Sequence, residues 1–206
     1  RSAGLPPIEI AGRGVLSGQT TSVDATLNAG RRANLTVRGT APLAPEGRLD
    51  LTAQGRVDAA ISDAMLAADG RRLTGTVQID LRAGGTAAAP RLDGAATLTG
   101  GSFTDALQGV RLTAMEARLA ANGDNLTIER FSARTPGNGT LSASGRVTLD
   151  PAAGFPGDIR LQGRRAQLVS NGLVTAVADL DLTLAGPLAQ RPRVEGRVEV
   201  SSLDVT

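Results

Sequence analysis

Apolar and polar residues alternate along most of this chain. The alternation is clear at Val23-Ala25-Leu27, Val77-Ile79-Leu81 and Val174-Ala176-Ala178-Leu180-Leu182-Leu184, with Asp, Thr, Arg, Ser, Gln or Asn commonly between. A period of two places successive side chains on opposite faces of a β-strand. One face of nearly every strand is therefore apolar and the other polar, which favours an antiparallel or solenoid-like sheet over a parallel sheet buried on both faces.

Glycine and proline interrupt the alternating runs, with 26 Gly and 10 Pro in 206 residues, and they mark turns and bends. Gly145 keeps the alternation in register on both sides, which predicts a bend inside one long strand. Between Leu112 and Met115 the apolar positions change from even to odd numbers. This change predicts a one-residue bulge near Thr113 or Ala114.

Two parts of the chain repeat one another weakly. Residues 79–85 with 90–98, and residues 180–186 with 192–200, each read as a strand, a Gly turn, a Pro-containing loop and a second strand. This repetition predicts roughly fourteen strands stacked as hairpins along one axis, about 4.8 Å apart. Ala59 to Ala68 breaks the pattern, and its apolar residues at helical spacing predict one short helix near residues 60–69.

The composition removes most catalytic chemistry. The sequence contains no Cys, His, Trp, Tyr or Lys, and only three Phe. Without His or Cys there is no usual zinc or copper site and no Ser-His or Cys-His pair, and without Lys there is no Schiff base or P-loop lysine. We therefore expect a protein that is not an enzyme and that uses no metal or cofactor.

The charge is nearly balanced, at +2 from 22 basic and 20 acidic residues. The pI of about 10.7 is high because nothing in the side chains titrates between the carboxylates and the guanidinium groups. Basic clusters with aromatic stacking platforms are missing, which argues against nucleic-acid binding. We interpret Arg31-Arg32, Arg71-Arg72 and Arg164-Arg165 as solvated turn residues, with phosphate head groups as the alternative partner.

Some charged residues recur two apart on one strand face. Asp179 and Asp181 form one such pair, and Arg197 and Glu199 form another. Paired carboxylates can serve acid and base catalysis, but no pocket-forming composition surrounds them. We interpret these residues as the polar face of a strand.

Several segments, in this order and spacing, resemble the C-terminal region of the TamB family, which belongs to the AsmA-like superfamily of bridge-like lipid transfer proteins. They are AAPRLDG at 88–94, LTI at 126–128, GTLSASGRVTLD at 139–150, DLTLAGP at 181–187 and PRVEG at 192–196. The likeness covers most of the chain and is best from about Leu73 onward.

The resemblance implies an all-β fold, an elongated β-taco in which an antiparallel sheet folds lengthwise around an aliphatic inner groove. It also implies that residues 1–206 are a single β-taco segment, an excised fragment of a longer periplasmic protein of Gram-negative bacteria that is anchored in the inner membrane. Relatives are viewed as carrying phospholipids between the inner and outer membranes, and as partners of an outer-membrane barrel of TamA type. We expect the fragment itself to be monomeric.

Burying an acyl tail of some fifteen methylenes is favourable by about 12 kcal/mol, at about 0.8 kcal/mol per methylene. A continuous aliphatic surface would supply that burial without fixing the tail at one position. We therefore expect phospholipid acyl chains to contact a set of aliphatic side chains. These are Val77, Ile79, Leu81, Leu98, Leu126, Ile128, Leu141, Val147, Leu149, Ile159, Leu161, Leu180, Leu182, Leu184, Val198 and Val200.

Other hypotheses use the same pattern differently. The sheet edge or the groove would accept β-strands of unfolded outer-membrane proteins if the chain assists their assembly. The chain would be a structural stalk if polar substitutions of the aliphatic residues affected only stability. The aliphatic residues would form a closed, dry core if the fold were a sandwich of two sheets.

Overall fold

The computed structural model describes residues 9–28, 33–62, 66, 70–86, 88–170 and 174–205. These residues form one antiparallel sheet of twelve strands, in which each strand pairs with its neighbours in the sequence. The strands are β1 (Glu9–Ser17), β2 (Thr20–Asn28), β3 (Ala33–Pro42), β4 (Asp50–Asp58), β5 (Arg71–Gly85), β6 (Pro90–Asp105), β7 (Val110–Gly123), β8 (Asn125–Thr135), β9 (Gly139–Thr148), β10 (Pro156–Ser170), β11 (Val174–Pro187) and β12 (Arg193–Val205).

The expected antiparallel, all-β fold is confirmed, with β1 and β12 as the two open edges of the sheet. The described strands number twelve, whereas the sequence predicts about fourteen. The difference arises because β5, β6, β7, β10 and β11 are each 14 to 16 residues long and continue through glycines and bulges.

The segment after β4 begins as a tight helical turn. A 3-10 helix spans Ala59–Ser62, and its Ala60 N–H donates to the Asp58 carboxylate at 2.9 Å. Leu66 is also helical, and residues 63–65 and 67–69 lie outside the described residues. The first turn of the predicted helix is therefore a 3-10 turn.

The repeated hairpins place a glycine at the same position. Gly94 of β6 and Gly196 of β12 both have positive φ, 125° and 139°, and lie opposite Leu81 and Leu182 of the preceding strand. A Cβ at Gly94 would lie 2.1 Å from the carbonyl oxygen of Asp80. Only glycine allows the two backbones to come this close. Each hairpin of the repeat thus depends on glycine at this point.

The two strand irregularities that the sequence predicts are found. Gly145 lies within β9, so the strand continues through it. In β7 the pairing moves from Leu112 opposite Phe103 to Met115 opposite Gly101, and the intervening Ala114 has a φ of 47°. This bulge returns Met115 to the apolar face, because the extra residue compensates for the change of parity.

A bulge in β8 has the same effect and was not predicted. Ile128 lies opposite Gly145, but the next apolar residue in register is Phe131, opposite Ala143. The bulge leaves both Glu129 and Arg130 exposed on the polar side. The apolar positions of β8 therefore change from even to odd numbers within one strand.

At one end of the sheet, β10 extends past β9 and contacts β7 and β8. Arg165, with a φ of 45°, marks a bulge in β10 where its N–H donates to the Asp179 carboxylate. Two residues later, the Gln167 N–H donates to the Thr135 hydroxyl of β8 at 3.1 Å. Buried apolar side chains include several in this region: Met115, Ala133, Ala166, Ala178 and Leu180.

Away from this end, the sheet is covered by no second layer in the described residues. The chain exposes 12890 Å² of surface, whereas a compact monomer of its mass, 20.9 kDa, would expose about 9,000 Å². The seven buried apolar side chains of the described residues include five alanines. A dry core between two sheets is therefore not the arrangement of this fold.

Replacing Gly94 by alanine should lower the free energy of unfolding by about 2 kcal/mol or more, because the new Cβ meets the Asp80 carbonyl at a positive φ. Gly84→Ala is the matched control, since a Cβ there would lie 3.9 Å from the Leu49 carbonyl oxygen, an ordinary van der Waals distance. Urea unfolding followed by circular dichroism measures both. Equal midpoints for the two variants would contradict the role given to Gly94.

Candidate apolar face

The strand register aligns apolar residues of successive strands into rows that cross the sheet. Directly opposed residues of an antiparallel pair point to the same face, so each row lies on one side. The central row runs from β3 to β12 without a polar side chain. It consists of Leu35, Gly55, Ile79, Ala96, Leu119, Ile128, Gly145, Ile159, Leu184 and Val194.

Two further rows lie two residues to either side of the central row, about 7 Å away along the strands. The first comprises Val37, Ala53, Leu81, Gly94, Ala121, Leu126, Val147, Gly157 and Gly186. The second comprises Ala33, Val57, Val77, Leu98, Ala117, Phe131, Ala143, Leu161, Leu182 and Gly196. We call these three rows, with the shorter row Ala133, Leu141, Gly163, Leu180 and Val198 beside them, the apolar face.

The sixteen aliphatic residues that the sequence singles out lie close to this arrangement. Fourteen are members of the four rows, and Val200 lies opposite Ala178, two residues beyond Leu180, on the same face. Leu149 differs, because β9 ends at Thr148. Its backbone N–H donates instead to the Asp124 carbonyl at 2.7 Å. Leu149 thus lies in the loop after the strand, not in the strand as expected.

The rows also contain residues that sequence reasoning missed. Phe131 and Ala133 follow the β8 bulge, so a strict period of two places them on the wrong face. On its own face of β7, Leu119 is flanked by Ala117 and Ala121, and Ala120 follows it on the other face, which gives its strand a weak pattern. The signal that could have located Phe131 is the adjacent pair Glu129 and Arg130, because two successive polar residues inside a strand are typical of a bulge.

The apolar face remains partly accessible to solvent. Most of its aliphatic side chains, such as Ile79, Leu161 and Leu182, are half-buried by their neighbours in the sheet. On the edge strand β12 the exposure rises, to 57% for Val194, 51% for Val198 and 60% for Val200. A contiguous exposed apolar surface is typical of sites at which proteins bind partners, ligands or membranes.

The opposite face of the sheet is polar, and several of its arginines are paired with carboxylates. Arg160 of β10 donates from Nε and Nη2 to the two carboxylate oxygens of Asp181, at 3.1 and 2.8 Å. This hydrogen bond lowers the pKa of Asp181 below its ordinary value. Asp179 lies 3.8 Å from Arg164 and accepts the Arg165 N–H. Both carboxylates therefore engage β10, in keeping with their interpretation as polar-face residues.

A cleft of about 820 Å³ lies on this polar face and is lined from β10, β11 and β12. Each charged side chain of its lining is paired: Arg164 lies near Asp179 and Arg197 lies 3.5 Å from Glu199, while Asp181 and Glu195 pair with Arg160 and Arg193 outside the lining. It offers a ligand no charge that the protein has not already paired.

At the tip of the β6–β7 hairpin, Asp105 is a buried carboxylate that holds the turn together. It accepts the N–H groups of Gln108 and Leu107 at 2.9 and 3.0 Å, and Arg71 Nε donates to its second oxygen at 3.0 Å. The Gln108 backbone hydrogen bond, followed by that from Arg71, holds the pKa of Asp105 below its ordinary value. The carboxylate is thus engaged by the turn itself.

An open antiparallel sheet with one continuous apolar face and one charged face defines this chain as an elongated, taco-like β-protein. Residues 129–206 match the family model of the TamB C-terminal domain, which confirms the resemblance read from the sequence. The matched segment, fewer than half of the 206 residues, is similar to that domain. At the family level, the match supports a TamB-related role in outer-membrane assembly or lipid transport in the bacterial envelope.

Neither the curated proteins nor the solved structures contain a match to the chain. Within the described residues, no helix has the length and apolar character needed to cross a bilayer.

Asp105→Asn should lower the melting temperature at pH 7, because the neutral amide replaces a carboxylate whose charged form the turn favours. A carboxyl group with a lowered pKa stabilises the fold above its unfolded value, near 3.8, and loses that contribution as pH falls through the folded pKa. The difference in melting temperature between wild type and variant should therefore shrink below pH 3.8. A difference that stays constant from pH 7 to pH 2 would contradict this assignment. Asp158→Asn, at an exposed site, is the control.

Proposed function

We propose that this chain forms a section of a periplasmic, hydrophobic conduit that carries phospholipids between the inner and outer membranes, with acyl tails on the apolar face. The observation that carries the proposal is the alignment of apolar residues in rows from β3 to β12. A row that crosses the sheet runs at right angles to the strands. A tail that moves along it therefore passes from one strand to the next without meeting a polar side chain.

The energetics favour a mobile tail over a fixed one. Sequestering about fifteen methylenes from water is worth about 12 kcal/mol, and each aliphatic row offers similar contacts at every strand. Glycines in the rows, such as Gly55 and Gly145, have no side chain, so they neither project from the apolar face nor place a polar side chain on it. No side chain of the three long rows offers a hydrogen bond that would hold a head group at one strand.

The proposal assigns no catalytic step and no cofactor to the chain. It places the chain in the periplasm, as part of a protein anchored in the inner membrane and working with an outer-membrane barrel of TamA type. Its support for these partners is the match of residues 129–206 to the TamB C-terminal domain.

A photo-crosslinking residue in place of Leu182 should capture phospholipid in cells, because Leu182 lies in a long apolar row between Leu161 and Gly196. The matched position is Ser144, an exposed polar-face residue opposite Arg160, which should capture none. Mass spectrometry of the crosslinked product identifies the adduct.

The outcome separates the hypotheses. Phospholipid at Leu182 and none at Ser144 supports the conduit. Repeated absence of lipid at Leu182, in protein with the wild-type circular dichroism spectrum, contradicts it. If Leu182→Asp then affects only the unfolding midpoint, the chain acts as a structural stalk.

A second candidate function is the binding of β-strands from unfolded outer-membrane proteins at the sheet edge. The observation that favours it is β12, whose outer side has no partner strand in the described residues and whose Val198, Val200 and Leu203 are 51% to 61% exposed. Such an edge pairs readily with an extended peptide.

A crosslinker at Val200 tests this second function. Strand binding predicts peptide adducts at Val200 and few at Leu182, since pairing takes place along the edge. The conduit predicts lipid at both positions. Crosslinks to lipid alone at Val200 would contradict strand binding.

A further inference from the structure

Most ion pairs that the structure records on the polar face join arginine to a carboxylate on a neighbouring strand. Arg38 lies 3.3 Å from Asp24, and Arg82 lies 3.3 Å from Asp50. Arg118 and Arg130 lie directly opposite each other, and each also has a carboxylate partner on the neighbouring strand. Glu129 lies 2.6 Å from Arg118 and Glu116 lies 3.6 Å from Arg130. Like charges that meet on this face are therefore neutralised by the protein itself.

One row contains two arginines, Arg111 and Arg134, that lack such an ion pair in the described residues, whereas its last arginine, Arg164, lies 3.8 Å from Asp179. It begins near the tip of the β6–β7 hairpin and consists of two registered segments that meet on β7. Thr104 lies opposite Arg111, and two residues along β7 Thr113 begins the series that crosses β8, β9 and β10. We call it the arginine–threonine row, and it comprises Thr104, Arg111, Thr113, Arg134, Thr140 and Arg164. The row contains no acidic residue.

Arg111 and Arg134 are the exposed centre of this row. Thr113 lies opposite Arg134, so Arg111 and Arg134 are diagonal neighbours, with Cα atoms about 7–8 Å apart. In the described residues, no carboxylate lies within 4 Å of either guanidinium. Their mutual repulsion is unrelieved by the protein, which makes the position favourable for an anion.

The carboxylates of Asp105 and Asp179, near this row, bind other groups. Asp105 accepts two backbone N–H groups of its own turn and the Nε of Arg71. Asp179 accepts the Arg165 N–H and lies 3.8 Å from Arg164 at the end of the row. Neither is available to the central pair of arginines.

The surface beside the row is concave. A cleft of about 500 Å³ is lined by Thr104 and Arg111 of the row, by Asp105, and by Gln167 and Ser170 of β10. The cleft forms where β10 extends past β9 toward the β6–β7 hairpin. Arg111, Gln167, Thr104 and Ser170 thus line, together with the Asp105 carboxylate and the small or apolar residues of the turn, a space large enough for a phosphate and its esterified alcohol.

The row also lies next to the apolar face. Phe103 lies opposite Leu112, and the next pair along the strands is Thr104 opposite Arg111. Successive residues of a strand point to opposite faces, so Phe103 and Leu112 lie on the other side of the sheet. Arg111 and Arg134 are each one residue from the end of their strand. Their long side chains can therefore reach the rim that separates the polar face from the apolar face.

We propose that the arginine–threonine row binds the phosphate groups of phospholipids whose acyl chains lie on the apolar face. This inference rests on the proposed lipid conduit and names the part of the lipid that is recognised. The arginine forks donate in pairs to phosphate oxygens, and the threonine hydroxyls between them donate singly. Successive sites along the row pass a head group from strand to strand while its tails stay on the apolar rows.

The test titrates the purified chain with dihexanoyl phosphatidylglycerol and, separately, with octyl glucoside, which has an alkyl chain and no phosphate. Arg111→Gln combined with Arg134→Gln should weaken binding of the phospholipid about tenfold, through loss of two charge-assisted contacts. Binding of octyl glucoside should not change. The matched control combines Arg91→Gln with Arg146→Gln, two exposed arginines outside the row, and should leave both affinities unchanged.

Two further variants and probes complete the test. Arg111→Lys with Arg134→Lys keeps the charge and should retain part of the affinity, and it substitutes for the glutamine variant if that variant melts at a lower temperature. Glycerol 3-phosphate tests free phosphate, and single-stranded DNA tests a polyanion. Either one binding as tightly as the phospholipid would overturn the assignment to lipid.

The possible failures are distinguishable. If wild type binds neither the phospholipid nor octyl glucoside, the proposed conduit fails. If wild type and the glutamine variant bind the phospholipid equally while octyl glucoside also binds, the apolar face stands and the arginine–threonine row is not the phosphate site.

Discussion

The whole structure depends on keeping a two-residue alternation in phase across successive strands. A shift of one residue in any pair would turn that strand's apolar side chains to the polar face. Because every strand pairs only with its sequence neighbours, an error at one pair would pass to every strand beyond it. The apolar rows are continuous because, after each bulge, the apolar side chains of the strand again lie opposite those of its neighbour.

The bulges are therefore part of the design of the apolar face. In β7 the extra residue at Ala114 brings Met115 back into line, and in β8 the extra residue does the same for Phe131. In β10 the bulge at Arg165 precedes the contact between Gln167 and Thr135 that draws the strand toward β8. Near the strand ends, the same bulges help to place arginine and threonine next to the apolar rows.

Much of this could be predicted from the sequence, because side-chain alternation is a local property. It is enough to find the strands, the apolar face, the continuous β9 around Gly145 and the bulge at Ala114. The β8 bulge was harder, since Glu129 and Arg130 are both polar and hide the change of parity. The unpaired charge of Arg111 and Arg134 could not be predicted from the sequence. It depends on the register that brings the two arginines together, and on the hydrogen bonds that Asp105 and Asp179 make with other residues.

The simple strand order has a consequence for how the chain acquires its fold. Each new strand finds its pairing partner in the segment just before it, so the described strand pairings close loops no longer than two successive strands and their turn. Short-range pairing of this kind lowers the contact order, which favours rapid folding even in an all-β protein. Folding can thus proceed hairpin by hairpin, and each completed hairpin offers a template edge to the next strand. Added or deleted hairpins would then change the length of the sheet without changing the order in which its parts assemble.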